Sequence, residues 1–138
     1  MTLYLDTSIV LRVILRQAGR LSIWGNWQEA CSSELMGVEA RRSIDRLRLA
    51  AALDDDGVAQ AQQELRMVEA AIRRIAVNRP VLRRASQPMA TQVKTLDAVH
   101  LASALLFQER AGASVIFATH DARQALAARA LGFDCVER

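Results

Sequence analysis

The stretch MTLYLDTSIV, residues 1–10, places a carboxylate directly after a short apolar run. The pattern predicts a buried strand from Leu3 to Leu5, followed by Asp6 and two hydroxyl residues before the apolar character resumes. A buried charge is costly unless something compensates for it. The start of a helix or a bound metal ion would compensate Asp6, and the stretch therefore predicts one of these two environments at the end of the strand.

The composition of the whole chain fits one domain, which we expect to span residues 1–138. Hydrophobic residues make up 51% and aromatic residues 4%, so the core must be mainly aliphatic. The net charge of +3 permits a polyanionic partner without requiring one. Cys31 and Cys135 match no metal-ligand pattern, no signal peptide is visible, and no apolar run reaches the roughly 18 residues of a membrane helix. We therefore expect a soluble, cytoplasmic protein with reduced thiols and no membrane contact.

Strands and helices alternate in the predicted order of elements. The predicted strands are residues 3–5, a link or strand at 31–33, 115–118, and a last edge strand at 133–136. The predicted helices are residues 8–15, 21–30, 34–53, 58–75, a short segment between the two prolines, 96–111 and 121–131. Thr95 is the predicted N-cap of the sixth helix, with Gly112 as its end. In the second helix, Trp24 and Trp27 would share one face. This alternation favours an α/β sandwich around a small parallel sheet.

Four acidic residues fall at the ends of elements or on apolar faces. Asp6 and Asp121 follow predicted strands, where the working groups of parallel sheets gather. Glu39 lies on or beside the buried face of its helix, and Asp97 lies in the first turn of an otherwise apolar helix. Such a cluster repels itself unless a cation lies among the oxygens. Mg²⁺ prefers oxygen ligands, whereas Zn²⁺ would need His or Cys ligands, for which the chain offers poor candidates.

Each acid also has an ordinary structural explanation. Asp6 and Asp121 could cap the helices that follow them. Asp97 could complement a helix dipole, and Glu39 could pair with Arg42, three residues further along the helix. The residues alone leave these alternatives open.

The two histidines carry less of the argument. His100 follows Asp97 by one helical turn, so it would either be a hydrogen-bonded histidine of the packed helix or support the acids from behind. His120 should point away from its neighbours if the strand continues, and we assign it no role.

Four segments of the chain resemble the PIN-domain family, and most closely its VapC-like toxins: YLDTSIVL, SELMGVEARRSIDR, TLDAVHLASAL and FATHDARQALAARALGF. Their order and separations fit one minimal PIN domain. The resemblance implies a three-layer α/β/α sandwich with a central parallel sheet. It also implies an endoribonuclease that depends on Mg²⁺ or Mn²⁺ and cleaves cellular RNA to inhibit translation and growth. The implied partners are an RNA substrate, a second copy in a homodimer, and a VapB-like antitoxin.

The four acids match the acidic quartet of that family. By resemblance, Asp6, Asp97 and Asp121 are the expected metal ligands. The fourth member, Glu39, is the expected group that orients or deprotonates the attacking water. All four are therefore candidate catalytic residues, and no quartet position is substituted.

Two hydroxyl residues and a set of arginines complete the expected site. Ser8 and Thr119 match the hydroxyl positions of the family motifs, and Ser8 is expected to tether the first loop. RNA has to approach an acidic pocket, so a positive rim is needed. We name Arg12, Arg41 and Arg42 as candidate RNA contacts.

Two rival functions and one assembly question stay open. A phosphatase of the haloacid dehalogenase type also places an Asp such as Asp6 after a strand, but it normally needs a second Asp where this chain has Ser8. A PIN fold retained as a binding module without activity is the other rival. For assembly, we expect the region from Leu21 to Leu65 to contribute to the antitoxin groove, with the homodimer formed elsewhere.

Overall fold

Five short strands form one parallel sheet in the computed structural model, which describes all 138 residues. The strands are β1 (Thr2–Leu5), β2 (Glu29–Ser33), β3 (Arg73–Ile75), β4 (Ile116–Ala118) and β5 (Asp134–Val136). The helices are α1 (Thr7–Ile14), α2 (Leu35–Leu49), α3 (Asp55–Ala71), α4 (Arg79–Ala85), α5 (Thr95–Ala111) and α6 (Ala122–Ala130). The strand order across the sheet is β3-β2-β1-β4-β5, and every neighbouring pair is parallel. The first strand of the chain therefore lies at the centre of the sheet.

The side chains of β1 point alternately to two separate cores. Leu3 and Leu5 belong to a core formed with α1, α2 and α3, whereas Tyr4 joins Leu101 and Phe117 in a core formed with α5 and α6. Helix α4 packs on the outside of α5. Because both faces are covered, the three buried residues of this strand, Leu3, Tyr4 and Leu5, are all apolar instead of alternating with polar ones. The predicted three-layer α/β/α sandwich is confirmed.

The predicted helix over residues 58–75 is wrong at its end. Helix α3 stops at Ala71, and the next residues form the edge strand β3. Arg73 and Arg74 are exposed, so this strand lacks the apolar alternation that identifies a strand in the sequence. Charged side chains are typical of an edge strand, where they discourage pairing with another chain.

The predicted helix over residues 21–30 is also wrong. The segment before β2 consists of turns, and Gly25 has a φ of +83°, a conformation that ends any helical run. Trp24 and Trp27 still meet, edge to face, with ring centroids 5.1 Å apart. Both indoles pack against the core on the α1–α3 side of the sheet. The turns of this segment, and not a helix, bring the two side chains to that core.

Two smaller expectations concern helix ends and cysteines. Gly112 ends α5 in the left-handed region as predicted, but the N-cap position is Lys94 and not Thr95. Both cysteines are free thiols, and burial raises the pKa of Cys31 to about 12, so this thiol stays protonated at neutral pH. None of the six helices combines the length and the apolar character needed to cross a bilayer.

Candidate active site

Asp6 lies at the carboxyl end of the central strand and is only 6% exposed. It occupies the N-cap position of α1, yet its side chain makes no capping hydrogen bond. Its Oδ2 atom instead accepts hydrogen bonds from Ser8 Oγ at 2.7 Å and from Thr119 Oγ1 at 2.9 Å. The helix-cap explanation of Asp6 is therefore wrong, and the two hydroxyls are what hold this carboxylate.

The same hydroxyls join the loops that follow β1 and β4. Ser8 Oγ accepts a hydrogen bond from the His120 main-chain N–H at 3.0 Å, and Thr119 Oγ1 accepts one from the Asp121 N–H at 3.0 Å. Each hydroxyl has one proton to donate, and each donates it to Asp6. The sequence expectation that Ser8 tethers the first loop agrees with this geometry.

The half-buried Glu39 and the buried His100 form a hydrogen-bonded pair beside Asp6. Glu39 Oε1 accepts hydrogen bonds from His100 Nε2 at 2.6 Å and from Thr7 Oγ1 at 2.7 Å. The other ring nitrogen of His100 shares a hydrogen bond of 2.7 Å with the Tyr4 hydroxyl. Glu39 makes no ion pair with Arg42, so that explanation of its position does not hold. His100 is a hydrogen-bonded histidine of the packed helix, and it also supports Glu39 from behind.

The pKa values of this pair move in opposite directions. Burial alone raises the pKa of Glu39, but the hydrogen bonds from His100 and Thr7 outweigh burial and lower it. Burial alone lowers the pKa of His100, but the hydrogen bond to Glu39 and the charges of Asp6 and Asp97 raise it. Both shifts favour a carboxylate facing an imidazolium. A lowered pKa makes Glu39 a weak base, so the geometry supports orienting a water molecule over deprotonating one.

Asp97 and Asp121 come from the starts of two neighbouring helices. Burial raises the pKa of the half-buried Asp97, and the nearby charges of Asp6 and Asp121 raise it further. Asp121 Oδ1 accepts hydrogen bonds from the main-chain N–H groups of Arg123 at 2.9 Å and Gln124 at 3.3 Å. Asp121 therefore caps α6 through Oδ1, as the helix-cap explanation predicts. Its Oδ2 atom accepts no hydrogen bond from the protein.

The donor chemistry of the three aspartates fits a hard divalent cation. As the side chains stand, no three His, Cys, Asp or Glu residues are close enough to hold a metal ion. Asp97 and one oxygen each of Asp6 and Asp121 accept no hydrogen bond, and the charges of the other two acids raise the pKa of Asp97. Free carboxylate oxygens in mutual repulsion are the ligands that Mg²⁺ takes, and the nearest imidazole nitrogen already binds Glu39.

A cleft of about 220 Å³ opens beside Asp97 and Asp121. Lys94, Arg123 and Gln124 line it together with the two acids. The sequence analysis missed these three residues, although Lys94 directly precedes the TLDAVH motif and the other two follow Asp121 within three positions. Two larger clefts, of about 380 and 560 Å³, flank α4 and contain none of the four acids. The candidate site is therefore the smaller cleft beside the carboxylates, and not one of the two larger clefts.

The three arginines named as candidate RNA contacts have different surroundings. Arg41 forms a two-pronged ion pair with Glu69 of α3, with Nη2–Oε1 and Nη1–Oε2 distances of 2.7 and 3.0 Å. Arg12 donates a hydrogen bond to the Gly19 carbonyl at 3.2 Å. Arg42 is exposed and makes no ion pair. Arg41 therefore links α2 to α3 through its ion pair with Glu69. Of the three arginines, Arg42 has the fewest polar contacts with the rest of the protein.

Comparison with known proteins agrees with this architecture. The model of the PIN-domain family matches residues 3–130. The fold is similar to that of a chain in the crystal structure of VapBC2 from Rickettsia felis bound to a DNA fragment from its promoter (TM-score 0.65, 12% identity, 99% of this chain and 98% of that chain). It is also similar to VapBC-5 from Mycobacterium tuberculosis, a member of the VapBC family of toxin–antitoxin systems (TM-score 0.64, 18% identity, with the same coverage of both chains). No curated protein matches the sequence significantly. The structural matches show the fold, and the family model, which spans nearly the whole chain, shows that this protein belongs to the PIN-domain family.

Proposed function

We propose that this protein is a metal-dependent endoribonuclease that acts as the toxin of a toxin–antitoxin pair. The observation that carries the proposal is the buried Asp6, held by two hydroxyls near Asp97 and Asp121. The side chain of Asp97 and the Oδ2 atom of Asp121 accept no hydrogen bond from the protein. Members of the PIN-domain family are typically nucleases. The two similar structures are toxin–antitoxin complexes, which supports the toxin assignment.

Each residue of the proposed site has a defined task. Asp6, Asp97 and Asp121 would hold Mg²⁺ or Mn²⁺ with their free oxygens. When bound, the ion supplies Lewis-acid stabilisation of the charge that develops on the phosphate oxygens. Glu39, fixed by His100, would orient the attacking water with its remaining oxygen. Ser8 and Thr119 keep Asp6 in one orientation.

Neither rival function gains a specific observation. A phosphatase would use Asp6 as a nucleophile, but two hydroxyl donors on Oδ2 reduce the nucleophilicity of this carboxylate. Ser8, where that class has a second acid, is one of those donors. A binding module would have no need for three carboxylates in repulsion, which cost stability.

Cleavage of RNA tests the proposal directly. Asp97→Asn should abolish Mg²⁺-dependent cleavage of total RNA and growth inhibition on induction, because it removes a ligand at constant volume. Asp56→Asn, an exposed acid on α3, is the matched control and should cleave like the wild type. Cleavage by Asp97→Asn at the wild-type rate, at equal metal concentration, would overturn the assignment of the quartet. Mapping the cleaved ends identifies the RNA.

A second arm measures the metal without relying on activity. Mg²⁺ binds only the folded state, so it should raise the melting temperature of the wild type above its value in chelator. Asp6→Asn removes a ligand and relieves repulsion on Asp97, so it should be more stable than the wild type in chelator, by on the order of 1 kcal/mol because solvent screens the half-buried Asp97. The variant should respond to Mg²⁺ much less. Equal Mg²⁺ responses of the two proteins would rule Asp6 out as a ligand.

A further inference from the structure

We propose that the cleft between the starts of α5 and α6 is a phosphate-binding subsite for the RNA backbone, with Lys94 and Arg123 as the residues that position the strand. The proposal rests on the proposed nuclease function and names where the substrate lies relative to the acids. Neither residue was among the candidate RNA contacts derived from the sequence.

The cleft contains charges of both signs. Lys94 and Arg123 line it together with Asp97 and Asp121, yet no ion pair joins either cation to either acid. Val93 is the one apolar residue of the lining, so the cleft suits a polar ligand. A phosphate would be repelled by the acids alone. The two unpaired cations supply the opposite charge that an approaching phosphodiester needs.

The start of α5 lies at the same cleft, which Lys94 and Asp97 line. This helix has 17 residues, and its N-cap residue, Lys94, makes no side-chain capping hydrogen bond. The N–H groups of the first turn therefore have no side-chain acceptor, and the positive end of the helix dipole adds to the charge of Lys94. Helix starts of this kind bind phosphate. Helix α6, by contrast, already has its cap in Asp121.

The side chain of Gln124 lines the cleft, and the residue is only 1% exposed. Its Nε2 donates to the Asp97 carbonyl at 3.0 Å, and this bond ties the start of α6 to the first turn of α5. Its Oε1 is buried without a hydrogen-bond partner. An unpaired buried acceptor costs free energy, so this oxygen calls for a donor from outside the chain. Because the atom is buried, a ribose hydroxyl next to a bound phosphate would reach it only after the Gln124 side chain turns toward the cleft.

Charge removal at the two cations tests the subsite. Lys94→Met and Arg123→Met keep the apolar stems and remove the charges. The matched control is Arg66→Met, an exposed arginine of α3 that makes no ion pair and lies on a helix that does not pack against α5 or α6. The probe is a short fluorescein-labelled single-stranded RNA, titrated by anisotropy in chelator at several NaCl concentrations, so that binding is measured without cleavage.

We expect each cleft variant to raise the Kd for this RNA roughly three- to tenfold, and to reduce the slope of log Kd against log salt by about 0.7, the value for one lost phosphate contact on a single strand. Arg66→Met should leave the slope unchanged. In Mg²⁺, the cleft variants should raise KM with kcat near the wild-type value, since they lose binding that is equal in the ground and transition states.

The outcomes separate the two proposals. Cleavage by the wild type together with cleft variants that bind RNA like Arg66→Met overturns the subsite alone. If the cleft variants show the predicted losses in binding but the wild type cleaves no RNA in Mg²⁺, the nuclease function is overturned and the subsite is supported. A fall in kcat at constant KM would place Lys94 or Arg123 in the chemical step and overturn the positioning role. A wild type that binds no RNA also overturns the subsite.

Discussion

The hydrogen bond between His100 and Glu39 joins two side chains 61 positions apart in the sequence, at an oxygen–nitrogen distance of 2.6 Å. The imidazole is 1% exposed, and the Tyr4 hydroxyl holds its other nitrogen. A charged pair in such a setting stabilises the fold only while both members keep their charges. The pair thereby fixes the orientation of Glu39 before any substrate arrives.

The stability that this pair contributes should depend on pH with a defined sign. The raised pKa of His100 gives a contribution that is full below its ordinary value of 6.5 and is lost as pH rises through the raised pKa. The lowered pKa of Glu39 gives a contribution that is full above its ordinary value of 4.5 and is lost as pH falls through the lowered pKa. The pair thus contributes most between 4.5 and 6.5.

Urea denaturation of the wild type and of His100→Gln, from about pH 5 to about pH 9, measures the effect. The difference in unfolding free energy should be largest inside the window and should shrink toward alkaline pH. The Asp56→Asn variant, which carries its change on the exposed face of α3, controls for general charge effects. A difference that stays constant from about pH 5 to pH 9 would contradict the charged pair.

An ion pair between Arg41 of α2 and Glu69 of α3 passes close to Gly37 of α2. A Cβ atom on Gly37 would lie 2.7 Å from Glu69 Oε2 and 2.9 Å from Arg41 Nη1. The ion pair therefore lies over the surface of α2 at Gly37, the one residue of that helix without a side chain. Arg41 also donates to the Gly37 carbonyl at 3.2 Å, which closes the contact.

Gly37→Ala should consequently give less than the usual gain of a glycine-to-alanine change in a helix, which is about 1 kcal/mol. The methyl group gains helix propensity but pushes the Arg41–Glu69 pair apart. In a Glu69→Ala background no pair remains to be lost, and the substitution should give the full gain. A double-mutant cycle by urea denaturation measures the coupling. Equal effects of Gly37→Ala in both backgrounds would show that the pair does not depend on the glycine.

The elements that could be predicted from the sequence are those with a local signal. The apolar run before Asp6 and the Gly112 stop identify β1 and the end of α5 within a few residues. Strand β3 carries no such signal, because its two arginines are exposed and its pairing with β2 is made by main-chain atoms. For the site, the family motifs named the acids and the hydroxyls of Ser8 and Thr119, but not which atoms these hydroxyls contact. Thr119 reaches Asp6 across 113 positions, and no local pattern encodes such a contact.

On the scale of the whole molecule, exposed apolar side chains stand on the outer side of the α1–α3 layer. Val38 and Leu49 of α2 are 59% and 71% exposed, and Met67 of α3 is 65% exposed. We propose that these side chains, on the two neighbouring helices α2 and α3, contribute to the contact with the antitoxin. Trp24 and Trp27, which lie in the region expected to form the antitoxin groove, are half-buried against the core. We therefore expect the groove to be formed mainly by α2 and α3.

Met67→Glu should therefore weaken the complex with the cognate antitoxin by about tenfold or more, because it places a charge in an apolar contact. Leu126→Glu is the matched control: this residue of α6 is 52% exposed on the opposite side of the sheet. Titration calorimetry of both variants measures the difference. A complex that tolerates Met67→Glu as well as the control, or crosslinks that leave α2 and α3 untouched, would contradict the proposed groove.

The division of the interior into two cores has a consequence for the nascent chain. The core on the α1–α3 side draws all its buried residues from positions 3–72 except Ala118, whereas the other core needs residues up to Phe133. At a translation rate of about 10 residues per second, the first half leaves the ribosome several seconds before Thr119, the second hydroxyl that holds Asp6. During that interval the face with the exposed apolar residues can already fold, while the carboxylates remain unassembled. In the proposed toxin–antitoxin pair, a growing chain would present the surface of α2 and α3 to the antitoxin before the carboxylates of the proposed active site come together.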